Sequence, residues 1–310
     1  MDELYVIIGF TLLIIGADKF VEAAVSLANK LRIPPLLIGF TIVALGTSLP
    51  ELAVVLEALN TEGGDDIAIG GIIGSNISNV MLVLGSAALL GASDYPGKGI
   101  KRDAIAVLAA SLILVGATLF GSISQFLGIL MLILLISFYA YSYTQAKDHD
   151  VIQEDEDSII SQKLSTAVLV LVGGGIMIWL GADLLMNGVT GVMEKYGISE
   201  SVVGLTIVAL GTSLPEFVVT VISALRGHAG VAVGNVLGSN VMNILGILGF
   251  ASIVSGGIVV SSTYADGDIW LLLFSTGLVC GLLLNNRGIS KVLGFSMVFG
   301  YIAYIALLFS

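Results

Sequence analysis

The sequence predicts an all-α membrane protein with ten transmembrane helices, arranged as two inverted-topology five-helix repeats. Three observations predict this fold: an apolar composition, ten apolar stretches separated by polar breaks, and polar motifs that occur twice. Of the 310 residues, 56% are hydrophobic and 11% are charged, whereas a soluble globular chain carries about 25% charged residues. Because a helix needs about 20 apolar residues to cross the hydrocarbon core, the chain has room for roughly ten spans.

Polar breaks divide the chain into ten candidate helices. They cover residues 4–29, 34–59, 66–93, 103–120, 124–144, 164–191, 198–224, 229–256, 268–285 and 290–309. One longer polar break separates two groups of five helices. We therefore divide the chain into a first five-helix repeat at 1–145, an acidic cytoplasmic connector at 146–163 and a second, inverted repeat at 164–310.

Basic residues predict how the chain is oriented in the bilayer. With the N-terminus outside, ten of the twelve Lys and Arg residues fall on the cytoplasmic side, in agreement with the positive-inside rule. The exceptions are Lys195, on the outside, and Lys19, within a helix. We therefore expect a multi-pass protein of the plasma membrane with both termini outside.

Composition and charge exclude several classes of function. The net charge of −11 leaves no basic surface for a nucleic acid. Cys280 is the one cysteine, so neither an internal disulfide nor a cysteine metal cluster is possible. Both histidines, His149 and His228, lie in polar connectors. The apolar stretches carry no paired-histidine or His–Ser arrangement, and we expect neither an enzyme nor a cofactor.

Two polar motifs each occur once in either half. The stretch "GFTIVALGTSLPE" at Gly39–Glu51 differs at one position from "GLTIVALGTSLPE" at Gly204–Glu216. Likewise, "GGIIGSNISNVMLVLG" at 70–85 corresponds to "GNVLGSNVMNILGILG" at 234–249. Because five predicted spans separate equivalent points, the second half enters the membrane the opposite way up. This inverted repeat is typical of secondary transporters.

The "GTSLPE" motif predicts a broken helix that presents oxygen atoms. Pro50 has no N–H and its ring clashes with the preceding turn, so the carbonyl of Gly46 loses its usual helical donor. Inside a bilayer such a carbonyl needs a partner from protein, water or an ion. The hydroxyls of Thr47 and Ser48 and the carboxylate of Glu51 stand beside it. The second copy offers the same groups at Gly211, Thr212, Ser213, Pro215 and Glu216.

Two-fold pseudosymmetry brings both broken helices to the same place, which predicts a cation site. Glu51 and Glu216 side by side in a low dielectric would repel and take up protons unless a cation lay between them. Carboxylate, carbonyl and hydroxyl oxygens suit Ca²⁺, which prefers six to eight oxygen ligands, or two or more Na⁺. The lack of thiolates and imidazoles argues against Zn²⁺ and Cu⁺.

The "GSNxxN" motif has two interpretations. Ser75 and Asn79 are four residues apart and share one helix face, as do Ser239 and Asn243. These side chains could hydrogen-bond between helices, which is common in membrane proteins. Alternatively, their neutral oxygens complete the cation cage that the two glutamates begin.

At these motifs the chain resembles the sodium/calcium exchanger family of the cation/calcium antiporter superfamily, in its short prokaryotic form. The resemblance covers nearly the whole chain. It implies a Ca²⁺ site built from Glu51, Glu216 and the carbonyls of Thr47 and Thr212. It further implies that Na⁺ is contacted by Ala44, Ser48, Ser75, Ala209, Ser213 and Ser239, with Asn79 and Asn243 nearby. One departure between the halves is Gly71, which stands where the second half has Asn235.

The resemblance implies an electrogenic Na⁺/Ca²⁺ antiporter that works by alternating access, with Ca²⁺ and Na⁺ as substrates. We expect it to function as a monomer in the bilayer, with no cofactor besides the transported ions. Two other functions remain open. A proton/calcium antiporter would also use paired glutamates, although the "GNAxE"-type motif of that branch is absent here. A passive cation channel would tolerate the same oxygens.

The orientation is testable by labelling. Single cysteines placed between residues 146 and 162, on a Cys280→Ser background, should resist membrane-impermeant thiol reagents in intact cells and react in inside-out vesicles. Cysteines beside the N-terminus serve as the opposite control, because they should react in intact cells. Ready labelling of the connector in intact cells would invert the predicted topology.

Overall fold

The computed structural model describes residues 1–61, 63–92, 97, 99–147, 163–196 and 211–308. The helices of the first half are α1 (Asp2–Leu31), α2 (Pro35–Thr47), α3 (Leu49–Ala58), α4 (Gly64–Leu89), α5 (Ile100–Phe120) and α6 (Gln125–Lys147). Those of the second half are α7 (Leu164–Lys195), α8 (Leu214–Leu225), α9 (Ala229–Ser255), α10 (Asp268–Leu284) and α11 (Lys291–Leu308). A short antiparallel pair joins β1 (Ser122–Ile123) to β2 (Ile258–Val259).

Many of these helices are long and apolar enough to cross a membrane. Seven of the described helices meet this condition, or eight if the bent pair α2 and α3 forms one span. The predicted membrane protein built from helices is confirmed. The predicted stretch at 198–224 lies partly outside the described residues, and the arrangement of ten helices as inverted repeats stays a prediction.

The helix break predicted at the first proline motif is present, and in the second half a helix begins at the predicted place. Between α2 and α3 the axis bends by 41° at Ser48, whose backbone has φ −90° and ψ 5°. Pro50 follows in the first turn of α3, where a missing N–H costs nothing. In the second half Ser213 precedes α8 with nearly the same dihedrals, φ −86° and ψ 0°. The two motifs therefore produce the same local backbone.

Three of the helices also widen into π-helical turns, which the sequence did not predict. These turns lie at Gly39–Val43 in α2, Asn79–Leu84 in α4 and Met242–Leu248 in α9. Each follows or precedes one of the repeated polar motifs. Such turns are rare in proteins overall but often occur at functional sites. A π-helical turn rotates the side chains that follow it relative to the side chains before it.

Helices α2 and α9 pack so closely that their backbones touch. A Cβ atom at Gly238 would lie 2.6 Å from the carbonyl carbon of Phe40, and one at Gly39 would lie 2.6 Å from the carbonyl oxygen of Val231. Real Cβ atoms do not approach this closely, so both positions require glycine. This contact brings the broken end of α2 against the polar face of α9.

Helices α1 and α7 form a second close pair along most of their length. A Cβ atom at Gly181 would lie 2.7 Å from the backbone nitrogen of Leu13, and one at Gly16 would lie 2.8 Å from Cβ of Met177. Small residues at such interfaces let backbones approach in the absence of a hydrophobic driving force. An ion pair between Asp18 and Arg226 joins α1 to the end of α8.

Because α1 and α7 pack closely, a methyl group added at their contact should destabilise the protein more than one added elsewhere on α7. Gly181→Ala should destabilise the protein by about 1–3 kcal/mol, as overpacking of a filled interface does. Gly173→Ala on the same helix is the matched control, because a Cβ there meets no heavy atom within 4 Å. Thermal unfolding in detergent measures both. Equal melting temperatures for the two variants would contradict the close approach.

Candidate cation site

Two glutamates stand at the centre of the described structure, each in the first turn of a helix that follows a break. Glu51 in α3 and Glu216 in α8 expose only 2% and 0% of their surface. The two carboxyl groups are close enough to repel each other when both are charged. Both positions follow from the proline motif, because the break turns the first residues of the new helix toward the bundle interior. The paired carboxyl groups predicted from the sequence are therefore brought together.

Hydroxyl groups from both halves surround the carboxyl group of Glu216. Ser48 Oγ, at the break of the first half, donates to Glu216 Oε1 at 3.0 Å. Ser239 Oγ in α9 lies 3.5 Å from the same oxygen. Thr47 Oγ1 lies 3.4 Å from Ser239 Oγ. All these side chains are buried, so each half contributes oxygen atoms to the glutamate of the second half.

The carboxyl group of Glu51 has a looser ring of partners. Ser75 Oγ in α4 lies 3.5 Å from Glu51 Oε1. Ser213 Oγ donates to Ser75 Oγ at 3.3 Å, and Asn243 Nδ2 in α9 donates to the same hydroxyl at 3.2 Å. The predicted residues at the break of the second half and in both "GSNxxN" motifs therefore meet around this carboxyl group.

Both carboxyl groups retain an oxygen that is buried and unpaired. Among the described residues, Glu51 Oε2 and Glu216 Oε2 have no hydrogen-bond partner, and neither does Asn243 Oδ1. A buried polar atom without a partner costs free energy, and an uncompensated buried charge costs more. A cation bound between the two carboxyl groups would compensate their charge. The donor set therefore fits a hard cation as transported substrate.

The remaining predicted residues have different outcomes. The carbonyl of Ala44 accepts the backbone N–H of Ser48 at 3.0 Å. Asn79 is fully buried and, among the described residues, its side chain has no hydrogen-bond partner. Thr212 is half-buried beside the break of the second half. Ala209 lies outside the described residues.

Three asparagines at the centre were not selected as site residues from the sequence. Asn235 contacts Thr47 and the backbone of Glu216. Asn76 accepts at its backbone oxygen from Asn240 Nδ2 at 3.3 Å, which links the two "GSN" segments. Position in the motif could have indicated Asn76 and Asn240, since each directly follows a predicted serine. Asn235 has no counterpart in the first repeat, so the repeat does not single it out, although it lies one helical turn before Ser239.

The chemistry of this site is that of oxygen ligands alone. Within the part of the chain that the structure describes, no group of three or more His, Cys, Asp or Glu residues is close enough to hold a metal ion. The two carboxylates, the serine hydroxyls and the asparagine amides are therefore the polar groups available. Such a set favours Na⁺ or Ca²⁺ over the transition metals.

Broken helices that bring paired carboxyl groups and hydroxyls together inside an apolar helical bundle define a membrane protein that transports cations. The family model described as sodium/calcium exchanger protein matches residues 3–144 and 166–310. The chain belongs to this family, which confirms the resemblance seen in its two repeated motifs. It is a membrane ion antiporter and not an enzyme.

Relatives and solved structures agree with this assignment. The chain is 32% identical to the inner membrane protein YrbG of Escherichia coli, over 98% of this chain and 95% of that protein. It is 31% identical to the sodium/calcium exchanger MaX1 of Methanosarcina acetivorans, over 82% of this chain and 83% of that protein. Its structure matches that of the sodium-calcium exchanger NCX_Mj with a TM-score of 0.84 and 28% sequence identity, covering 98% and 97% of the two chains.

Removing either central charge should abolish transport of Ca²⁺. Breaking a buried ion pair by removing one partner costs about 3–5 kcal/mol, which corresponds to a loss of affinity of roughly two to four orders of magnitude. Glu51→Gln and Glu216→Gln should each reduce uptake of radioactive Ca²⁺ by proteoliposomes to the background of empty vesicles. Glu57→Gln is the matched control, because Glu57 is an exposed carboxylate on the same helix as Glu51. Normal uptake by Glu51→Gln would refute the site.

Proposed function

We propose that the protein exchanges Na⁺ for Ca²⁺ across the membrane by alternating access to a site between Glu51 and Glu216. One observation carries the proposal: two buried carboxyl groups lie close to each other, and each keeps an oxygen that has no partner among the described residues. Their combined charge of −2 matches one Ca²⁺. The carbonyls of Thr47 and Thr212 and the surrounding hydroxyls supply the further oxygens that Ca²⁺ needs.

Na⁺ uses the same cage in a different way. One Na⁺ neutralises only half of the charge, so two or more are needed to replace a single Ca²⁺. Several Na⁺ cannot all contact both carboxylates, and some depend on neutral oxygens. We assign these contacts to the carbonyls and hydroxyls of the sequence motifs, namely Ala44, Ser48, Ser75, Ala209, Ser213 and Ser239, with Asn79 and Asn243 beside them.

Coupling follows from competition for the two carboxylates. Bound Ca²⁺ excludes Na⁺ from the carboxylates, and bound Na⁺ excludes Ca²⁺, so the two ions bind alternately. If the empty, doubly charged site does not reorient across the apolar interior, Na⁺ flowing down its gradient moves Ca²⁺ the other way. Movement of more sodium charge than calcium charge makes the exchange electrogenic. We further propose that ten helices form two inverted repeats in a monomer of the plasma membrane, with both termini outside.

A proton-coupled exchange is the second candidate, and one observation favours it. Two carboxyl groups that repel each other when both are charged can share a proton, as coupled carboxyl pairs do. A proton could then replace Na⁺ as the competitor of Ca²⁺. The hydroxyls and carbonyls around the pair favour Na⁺, because a proton would need only the carboxylates.

The driving ion is tested in proteoliposomes that hold the purified protein. With ionophores clamping the pH gradient and the membrane potential, vesicles loaded with Na⁺ should accumulate radioactive Ca²⁺ from a Na⁺-free medium. Uptake should disappear when Na⁺ is equal on both sides, because the driving force is then absent. Equal uptake driven by a pH gradient alone would favour proton coupling. Movement of Ca²⁺ down its gradient without any counter-ion would indicate a channel.

A further inference from the structure

Asn235 ties the broken helix of the first half to the second half at the proposed site. Its Oδ1 accepts from Thr47 Oγ1 at 3.1 Å. Its Nδ2 donates to the backbone oxygen of Glu216 at 3.3 Å and to Thr220 Oγ1 at 3.0 Å. The side chain is fully buried, and both hydrogens of its amide are used. It is thus held in one orientation, with its oxygen directed at Thr47.

The first half carries no counterpart of this network. At the offset of 164 that relates the "GSN" motifs, Gly71 occupies the position of Asn235; at the offset of 165 that relates the glutamates, Val55 occupies that of Thr220. A Cβ atom at Gly71 would meet no heavy atom within 4 Å, so crowding does not explain the glycine. The two halves therefore share the same "GTSLPE" motif but support it differently.

The hydrogen bonds of Asn235 determine which oxygen accepts the hydroxyl proton of Thr47. That hydroxyl has a single proton and three oxygen atoms within reach, Asn235 Oδ1 at 3.1 Å, the Ala44 carbonyl at 3.3 Å and Ser239 Oγ at 3.4 Å, and Asn235 Oδ1 is the nearest of them. The Ala44 carbonyl already accepts the backbone N–H of Ser48, which leaves it one lone pair. When Asn235 takes the proton, that lone pair stays available to an ion.

We infer that Asn235 is a positioning residue that sets the affinity for Na⁺ by keeping the Ala44 carbonyl free. The inference rests on the proposed function and deepens it. Ca²⁺ draws most of its binding energy from the two carboxylates, whereas the Na⁺ ions that replace it depend more on neutral oxygens. Loss of one carbonyl therefore weakens the binding of Na⁺ more than that of Ca²⁺.

Removal of the Asn235 side chain leaves each of its partners with a local alternative. The Thr47 hydroxyl can donate to the Ala44 carbonyl in its own helix. The Thr220 hydroxyl can donate to the backbone oxygen of Glu216, four residues earlier, as serine and threonine do in helices. Asn235→Ala should therefore fold. A second variant, Asn235→Gly with Thr220→Val, copies the residues that the first half uses at the equivalent positions.

The test compares the half-saturating concentrations of Na⁺ and Ca²⁺ in proteoliposomes. Asn235→Ala should raise the half-saturating Na⁺ concentration about tenfold, which is the loss of a typical hydrogen-bond-sized contact, and change that of Ca²⁺ by less than about threefold. The Gly/Val double variant should show the same selective shift. Thr220→Val alone is the matched control and should change both values less than about twofold, because Asn235 Oδ1 still holds Thr47.

A thermal-shift titration keeps this inference separable from the proposed exchange. The stabilisation of purified protein by Na⁺ should require about tenfold more Na⁺ in Asn235→Ala, and stabilisation by Ca²⁺ should be nearly unchanged. If Na⁺ stabilises the wild type but a Na⁺ gradient does not drive Ca²⁺ uptake, the proposed exchange is refuted. The titration still decides the role of Asn235 in that case. Equal loss of affinity for Na⁺ and Ca²⁺ in Asn235→Ala would overturn the inference. A change only in the maximal rate or the folded yield would also overturn it, and so would a shift in Thr220→Val equal to that in Asn235→Ala.

Discussion

The proximity of two buried carboxyl groups is the constraint on which the rest of the site depends. Glu51 and Glu216 lie in an interior that is poor in compensating charge, where their repulsion is strong because little water screens it. The described residues supply hydroxyls and amides around them but no lysine or arginine. The pair is therefore tolerated only when protons or cations compensate it, and this requirement is the reason that we propose a transport site at this helix junction.

Placing those carboxyl groups together requires costly local structure. The breaks that precede Pro50 and Pro215 end a helix inside an apolar segment, where carbonyls without a partner are expensive. The bundle offsets this cost by close packing. Gly39 and Gly238 allow α2 and α9 to touch through their backbones, so polar atoms at the break lie directly against the polar face of a neighbouring helix. The breaks and the glycine contacts are parts of one arrangement.

Near-identity of the repeated motifs does not make the two halves of the site equivalent. Ser48 donates to the glutamate of the other half at 3.0 Å, whereas Ser213 reaches the hydroxyl of Ser75. Asn235 hydrogen-bonds to Thr47 and to the backbone of Glu216. Gly71, at the equivalent position of the first half, has no side chain that could do the same. An exchanger that must bind one divalent ion and several monovalent ions in the same cage gains from such asymmetry, because the two kinds of ion need not use the same oxygens equally.

The sequence by itself determined the class of protein, the helix breaks and the central pair of glutamates. Hydropathy predicts the apolar helices, and proline predicts the breaks. A carboxylate repeated inside apolar segments predicts an ion site, because its burial has a cost that only function or tertiary contacts can offset. The tertiary structure alone decided the partners. That Ser48 bonds to Glu216 rather than to Glu51, that Asn235 holds Thr47, and that Asn79 is buried without a partner among the described residues depend on how helices from distant parts of the chain approach. Distances between such helices are set by packing of whole faces, and no local pattern of residues encodes them.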